Sequence, residues 1–294
     1  MNPFLDYECF ECNAKLALYL ARLRHSSAPE AVRLASRLVE GFARAAYSAL
    51  DDYVELSARI VDHIAATLGD PYAEVRRASM EVARRLLPLA EAFVEGSEDR
   101  LWGAVSVALA GNALDFATGV YSVSLESFSE GFAGKLREPF GIDHTARLRE
   151  RLEGARTVLY VLDNAGECVL DLPLVRLLSE RADVVVAARG GPVFNDATIE
   201  EARGAGLGDY AELVTTGCRL PGVSARRCSR EFLDLLAGSD LVILKGQGNY
   251  QSFYEVERVR RKPTFYLLVP KCRPVARHLG VEVGSKVALE RSAG

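Results

Sequence analysis

The sequence predicts an α/β protein in which a helical N-terminal region, residues 1–150, precedes a mainly parallel, helix-covered α/β/α sheet domain, residues 151–294. Three observations lead there. Beyond residue 155, five short runs rich in Val, Leu and Ile, at 157–162, 183–188, 212–215, 240–244 and 264–269, alternate with helical segments. Consecutive apolar positions of that kind mark strands buried on both faces, as in a parallel sheet covered by helices. The first half instead repeats its apolar residues at spacings of three and four, the period of a helix with one buried face. Between the two, Gly131, Gly134, Pro139 and Gly141 loosen the chain and mark the change of architecture.

Taken in order, Ser27-Ala28-Pro29-Glu30 has the spacing of a capping box, and a helical pattern follows it to Leu50. A second helix is expected over 53–68, stopped by Gly69 in a left-handed conformation. Asp70 is then expected to cap the next helix, with Pro71 at its first position, where a missing N–H costs nothing. Along that helix Val75, Ser79, Val82, Leu86, Leu89 and Phe93 should form one buried face. Gly96-Ser97-Glu98 ends it and starts a further helix containing Gly111-Asn112-Ala113-Leu114-Asp115-Phe116. The N-terminal region thus reads as a bundle plus bridging helices.

The composition narrows the function classes. The chain has 294 residues, 49% apolar and 26% charged, which suits a globular protein with an ample core. Its net charge of −4, with both signs interspersed, gives no nucleic-acid patch and no polybasic membrane anchor. The longest uncharged stretch, 101–114, is too short to span a bilayer. Asp6, Glu8 and Glu11 stand where a signal peptide would place a basic residue and an apolar block, so a cytoplasmic location is expected. Six cysteines in a chain of this length are not a disulfide scaffold. Cys168 and Cys272 read as buried thiols, while Cys218 and Cys228 share a loop and could pair in an oxidising or hyperthermophilic cell. Cys9-Phe10-Glu11-Cys12 is a single Cys-x-x-Cys without the second pair that tetrahedral zinc needs: a redox pair, a shared half-site or two packed thiols. His25, His63, His144 and His278 form no ligand spacing.

Three polar motifs follow the strand-like runs, and loops at the carboxyl ends of parallel strands meet in one crevice. The first is Asp163-Asn164-Ala165-Gly166-Glu167, whose Asp and Asn offer hard oxygen ligands to a divalent cation. Asp163 is equally a candidate helix cap. The second is Arg189-Gly190-Gly191-Pro192 with Asn195-Asp196-Ala197-Thr198, in which Asp196 is a ligand or an N-cap. Arg189 could bind an anion bidentately or pair with a surface carboxylate. The third is Lys245-Gly246-Gln247-Gly248-Asn249, which is neither a Walker A loop nor a dinucleotide fingerprint. A lysine ending a buried strand needs an anion nearby, and glycine amides can cradle phosphate oxygens.

These motifs resemble those of the metal-dependent damage-control phosphatases, formerly a domain-of-unknown-function family, and in particular the archaeal-type branch with an N-terminal Cys-x-x-Cys. The resemblance spans nearly the whole chain. It rests on Cys9-x-x-Cys12, Asp70-Pro71-Tyr72, Gly111-Asn112-x-x-Asp115-Phe116 and the three loop motifs, and it ends with Lys271-Cys272-x-Pro274-Val275-Ala276. It implies hydrolysis of phosphate monoesters with Mn²⁺, Co²⁺, Ni²⁺ or Mg²⁺ held at positions matching Asp163, Asn164 and Asp196. It further implies small phosphorylated metabolites as substrates: sugar phosphates, or 4′-phosphopantetheine and its damaged derivatives. An acidic residue is expected after Lys-Gly-Gln-Gly-Asn-Tyr, but the chain has Gln251, a departure that bears on substrate choice and not on the metal site.

The resulting expectation is a phosphomonoesterase in which the cation lowers the pKa of an attacking water. Lys245 and the amides of Gly246 and Gly248 would neutralise phosphate charge, Asn249 would orient the group, and Glu167 would be the base. Asn112 and Asp115, three apart on one helix face, would reach the pocket from the helical region or form an internal hydrogen bond. Two other readings stand beside it. One is an S-adenosylmethionine-dependent methyltransferase, although its expected Gly-x-Gly after the first strand is missing. The other is a non-catalytic phosphometabolite-binding protein.

Overall fold

The computed structural model describes residues 3–49, 51–112 and 125–292, with the side chains of 125–130 excepted. Helices α1 (Glu8–Arg24), α2 (Ala28–Ala49) and α3 (Tyr53–Leu68) share a core around Leu16, Leu20, Leu38, Phe42 and Ile64. Asp52 caps α3 by accepting the amides of Val54 and Glu55, and Gly69 ends it with a positive φ. Next come α4 (Ala73–Glu95), α5 (Arg100–Gly111), which Asp99 caps, and α6 (Leu125–Arg137). Two expectations change here. Asp70 does not cap α4; its carboxylate accepts from the Tyr72 amide and pairs with the buried Arg76. Leu89 is exposed, because the buried stripe of α4 runs instead through Met80, Ala83, Leu86, Ala90 and Val94.

The rest of the described chain is β1 (Phe140–Asp143), α7 (Thr145–Glu153), β2 (Thr157–Val161), α8 (Ala165–Leu170), α9 (Leu172–Ser179), β3 (Asp183–Ala188), α10 (Ile199–Gly204) and β4 (Glu212–Thr215). It continues through α11 (Arg230–Gly238), β5 (Leu241–Lys245), α12 (Gly246–Gln251), α13 (Phe253–Val259), β6 (Thr264–Leu268), α14 (Arg273–Leu279) and β7 (Lys286–Arg291). The strands form one sheet in the order β1-β7-β6-β5-β2-β3-β4. All neighbouring pairs are parallel except β6 with β7.

Alternation along the strands divides the core in two. Val158, Tyr160, Ile243 and Phe265 face α4, α5, α8 and α9, whereas Leu159, Val161, Leu244 and Tyr266 face α11, α12 and α14. Period-2 geometry with both faces covered explains why these strands are apolar at nearly every position. No helix among the described residues is long and apolar enough to cross a membrane.

The change of architecture at residue 150 is not a packing boundary. β1 pairs with β7, α6 runs through Gly131 and Gly134, and α4 and α5 belong to the core of the sheet. Gly166 shows how closely: a Cβ there would lie 2.8 Å from the Ser79 carbonyl oxygen, so α8 rests directly on α4.

Candidate active site

The chain leaves β2 toward β3 and β4 on one side, while β5 and β6 lie on the other, so the gap between β2 and β5 is the topological switch point. Two polar loops are stitched together there by backbone. The Ala197 N–H donates to the Asp163 carbonyl at 2.7 Å, and the Ala165 N–H donates to the Asn195 carbonyl at 2.9 Å. An antiparallel bridge thus joins Asn164 to Asp196, and a parallel one joins Arg189 to Thr198. These pairings place Asp163, Asn164 and Asp196 side by side, although 33 positions separate the first from the last.

Neither aspartate is used as a cap. Asn164 occupies the N-cap of α8 without a capping side-chain bond, and Thr198 caps α10 in a full capping box with Glu201. Both carboxylates are nevertheless buried, Asp163 at 6% and Asp196 at 4% exposure. The bland alternative for these two residues is therefore gone, and their burial needs another compensation.

Arg189 supplies part of it. It is fully buried, so the surface-pair alternative does not hold. Its Nε donates to Asp196 Oδ2 at 2.7 Å, one terminal nitrogen donates to Asn249 Oδ1 at 3.0 Å, and the other donates to the Pro221 carbonyl at 2.7 Å. The latter nitrogen also lies 3.7 Å from Asp163 Oδ1. Burial alone would lower the Arg189 pKa, but Asp196 and Asp163 raise it, so the guanidinium is charged. Asn249 donates to the carbonyls of Lys245, at 2.7 Å, and Leu162, at 3.3 Å, which ties the end of β5 to that of β2.

Lys245 departs from the expectation that it faces a phosphate. Its ammonium donates to Glu167, to Asp171 at 2.6 Å and to the Ala108 carbonyl at 3.1 Å, and all three groups hold it in the interior. Burial works against its charge, yet Asp171 and Glu167 outweigh that and raise its pKa. Glu167 is equally committed. Its second oxygen accepts from Asn112 at 2.8 Å and Asn164 at 3.1 Å. The same two amides donate to Asp163 Oδ2 at 2.9 Å each, and Asn112 Oδ1 accepts from the Val269 N–H at 2.8 Å. Asn112 therefore makes the bond from the helical region to the site, while Asp115 lies outside the described residues.

Four buried carboxylates, Asp163, Glu167, Asp171 and Asp196, thus face the two buried cations Arg189 and Lys245. Burial pushes the Asp163 carboxyl well above its usual range, with Asp196 and Glu167 adding to the effect and Lys271 and Arg189 opposing it. An ionised Asp163 calls for further positive charge beside it. Two other observations point the same way. Both amide atoms of Asn195 are buried without a protein partner. Gly246 has φ +81°, and a Cβ there would overlap the Asp163 carboxylate, so only glycine leaves that oxygen room. Gly248 is similarly confined, by the Pro221 carbonyl. Among the described residues no three His, Cys, Asp or Glu side chains form a metal cage. The available donors are instead two carboxylates and a carboxamide, hard oxygen ligands of the kind that suit a divalent cation.

Asp171, Asn195 and Lys271 also belong to this site. Asp171 lies one helical turn after Glu167, so a shared face was its only sequence signal, and Asn195 and Lys271 stand inside motifs without distinguishing marks. Gln251 is buried and accepts from Gln247 at 3.3 Å, and Gln247 in turn receives the Lys271 amide at 2.8 Å. Cys272 is only partly buried, unlike Cys168.

Comparison with known proteins agrees with this architecture. The profile of the Damage-control phosphatase ARMT1-like domain matches residues 5–287. A damage-control phosphatase of Archaeoglobus fulgidus is 38% identical over 246 residues, covering 82% of this chain and 84% of its own. The crystal structure of a DUF89 family protein from Pyrococcus horikoshii superposes with a TM-score of 0.81 at 28% identity, covering 97% of this chain and 98% of that one. A mouse protein named 4′-phosphopantetheine phosphatase is 30% identical over 144 residues, 45% of this chain and 18% of its own.

Proposed function

The chain belongs to the ARMT1-like damage-control phosphatase family, and on that premise we propose that it is a divalent-metal-dependent phosphomonoesterase acting on small phosphorylated metabolites. The observation that carries the reading is the pair Asp163 and Asp196, stitched together at the switch point, buried, and not used as caps. With Asn164 they are the residues that would hold the cation, Mn²⁺, Co²⁺, Ni²⁺ or Mg²⁺. Once bound, such an ion polarises a phosphate oxygen and acidifies water. Asn164 turns its amide nitrogen toward the carboxylates, which leaves its oxygen as the ligating atom.

The remaining residues position and neutralise. Arg189 holds Asp196 and reads the end of α12 through Asn249. α12 begins at Gly246, so the amides of Gly246, Gln247 and Gly248 are those a helix leaves without an internal acceptor, and they suit phosphate oxygens. Lys245 acts as a positioning residue: it holds one oxygen of Glu167, whose other oxygen accepts from the two amides that grip Asp163. Lys271, which acts electrostatically on Asp163, would add positive charge for an incoming phosphate.

The mouse relative's name favours a phosphopantetheine-like ester over a sugar phosphate. These comparisons do not favour the methyltransferase reading. The test is phosphate release by metal-stripped protein with each cation returned singly. Substrates are p-nitrophenyl phosphate, sugar phosphates and 4′-phosphopantetheine, with Asp163→Ala and Asp196→Ala as controls. Turnover that needs metal and both aspartates is expected. No turnover with any cation, together with retained binding of the esters, would establish a binding protein instead.

A further inference from the structure

Cys218 and Cys228 take no part in that chemistry, yet they flank the segment that braces it. Their sulfur atoms lie 2.8 Å apart, and each residue is 8% exposed, so the pair is shielded but within reach of the surface. The backbone sets this approach. The Ser229 N–H donates to the Thr216 carbonyl at 2.9 Å, and the Cys228 N–H donates to that of Ser224 at 3.0 Å. Gly217, at φ +73°, runs so close to Ser229 that a Cβ would overlap its side chain.

The residues between the two cysteines reach the active site. The Pro221 carbonyl accepts from Arg189, and the Val223 N–H donates to Ser252 Oγ at 2.9 Å. Gly222 packs on the carbonyl of Gly248. Cys218 itself accepts the Gly190 N–H at 3.0 Å. Closing the thiol pair would fix both ends of the segment on which Arg189 leans.

We infer that Cys218 and Cys228 form a dithiol–disulfide site, converted by a disulfide-class oxidant into an intramolecular bond that locks this segment beneath Arg189. The sulfur of Cys218, as thiolate, attacks one sulfur of the oxidant's disulfide and expels the other as a thiolate. Cys228 then loses its proton, and its sulfur attacks Cys218 in the mixed disulfide, releasing the oxidant's remaining sulfur. One S–S bond forms and one breaks, and two protons and two electrons pass from the protein to the oxidant. Cys218 is suited to react first. The hydrogen bond with Cys228 lowers its pKa, and Thr216, Arg189 and Arg227 assist against the effect of burial. The bond restricts the unfolded chain more than the folded one, because the folded chain already holds the sulfurs together.

The test uses the intact chain, reduced and then exposed to oxidised glutathione, with thiols counted by N-ethylmaleimide under denaturing conditions. Oxidation should leave two labels fewer than the six cysteines of the reduced chain take, with peptide mapping placing the link at Cys218–Cys228. Tm should rise by roughly 5 °C on oxidation, and the Cys218→Ser/Cys228→Ser variant should show no such rise. Labelling of both cysteines after oxidation, or a link from either to Cys9, Cys12 or Cys272, overturns the inference. An unchanged Tm in the linked protein overturns the locking. Cys228→Ser alone should keep one glutathionyl group on Cys218, and its absence overturns the order of attack.

Discussion

Two ionic clusters share one crevice and differ in how far they satisfy themselves. Around Lys245, one ammonium meets Glu167, Asp171 and the Ala108 carbonyl, so its three N–H donors are used and the charges are held within protein. Around Asp163 and Asp196, the Arg189 guanidinium bonds Asp196 and reaches Asp163 only at 3.7 Å, while burial, with Asp196 and Glu167 adding to it, pushes the Asp163 pKa up against Lys271 and Arg189. The Lys245 cluster satisfies its cation from within the protein, although Asp171 Oδ2 is buried without a hydrogen-bond partner. In the Asp163 cluster, burial and neighbouring carboxylates outweigh the nearby cations, so an added cation would be favoured there.

The comparison can be broken most sharply by removing an aspartate. Asp163→Ala or Asp196→Ala should lower turnover by at least about a thousandfold, roughly 4 kcal/mol in the barrier. The Tm of the metal-free Asp163 variant should not fall, because a repulsion is lost with the carboxylate; a fall of many degrees would show that Asp163 is structural. Lys245→Ala should do the opposite to stability. It leaves two buried carboxylates without their cation, and a denaturant titration should show a loss of about 3–5 kcal/mol.

Cation addition should distinguish the clusters next. At a hundred times its dissociation constant, Mn²⁺ should stabilise the wild-type chain by about 2.7 kcal/mol in a melting experiment and leave an Asp163→Asn/Asp196→Asn variant unmoved. The pH dependence follows the carboxyls with raised pKa. Burial lifts Asp171 to about 7, even with Lys245 beside it, and Asp163 moves in the same direction. A carboxyl whose folded pKa exceeds its unfolded value binds a proton on folding, so metal-free stability should decline as pH rises from about 4 toward neutrality. Metal-free Asp163→Asn should decline less, and a steeper decline would refute the assignment of repulsion to Asp163. The smallest effect is expected at Asn195. Its amide has no protein partner to lose, so Asn195→Ala should cost under about 1 kcal/mol in stability. Its shift in Tm on adding Mn²⁺ should nevertheless shrink.

β2, β3, β5 and β6 were legible because each lies inside the sheet, covered on both faces, and so is written mostly in apolar residues, and the short edge strand β4 was legible from its Leu213-Val214 centre alone. β1 and β7 were not. β1 is a four-residue edge strand with alternating exposure, and β7 turns polar over its second half. The loop motifs were legible as well, since parallel strands deliver their carboxyl ends to one crevice whatever the intervening helices contain. Three aspects of the site were hidden. Asp163 and Asp196 were ambiguous between cap and ligand until α8 and α10 were seen to begin elsewhere. Lys245 was expected at a phosphate, but its partner Asp171 is 74 positions away at the junction of α8 and α9. Arg189, read as a substrate or surface group, turns inward to residues from three separate loops.

Sequence period reports whether a residue is buried, because burial repeats with the geometry of its own element. By itself, the sequence thus determined the parallel sheet, the helical region before it and the residue types gathered at the strand ends. Only the tertiary structure decided which carboxylate meets which cation, because that depends on strand order and on the pairing of distant loops. In a low-dielectric interior, a displacement of an ångström or two separates a satisfied ion pair from an open ligand.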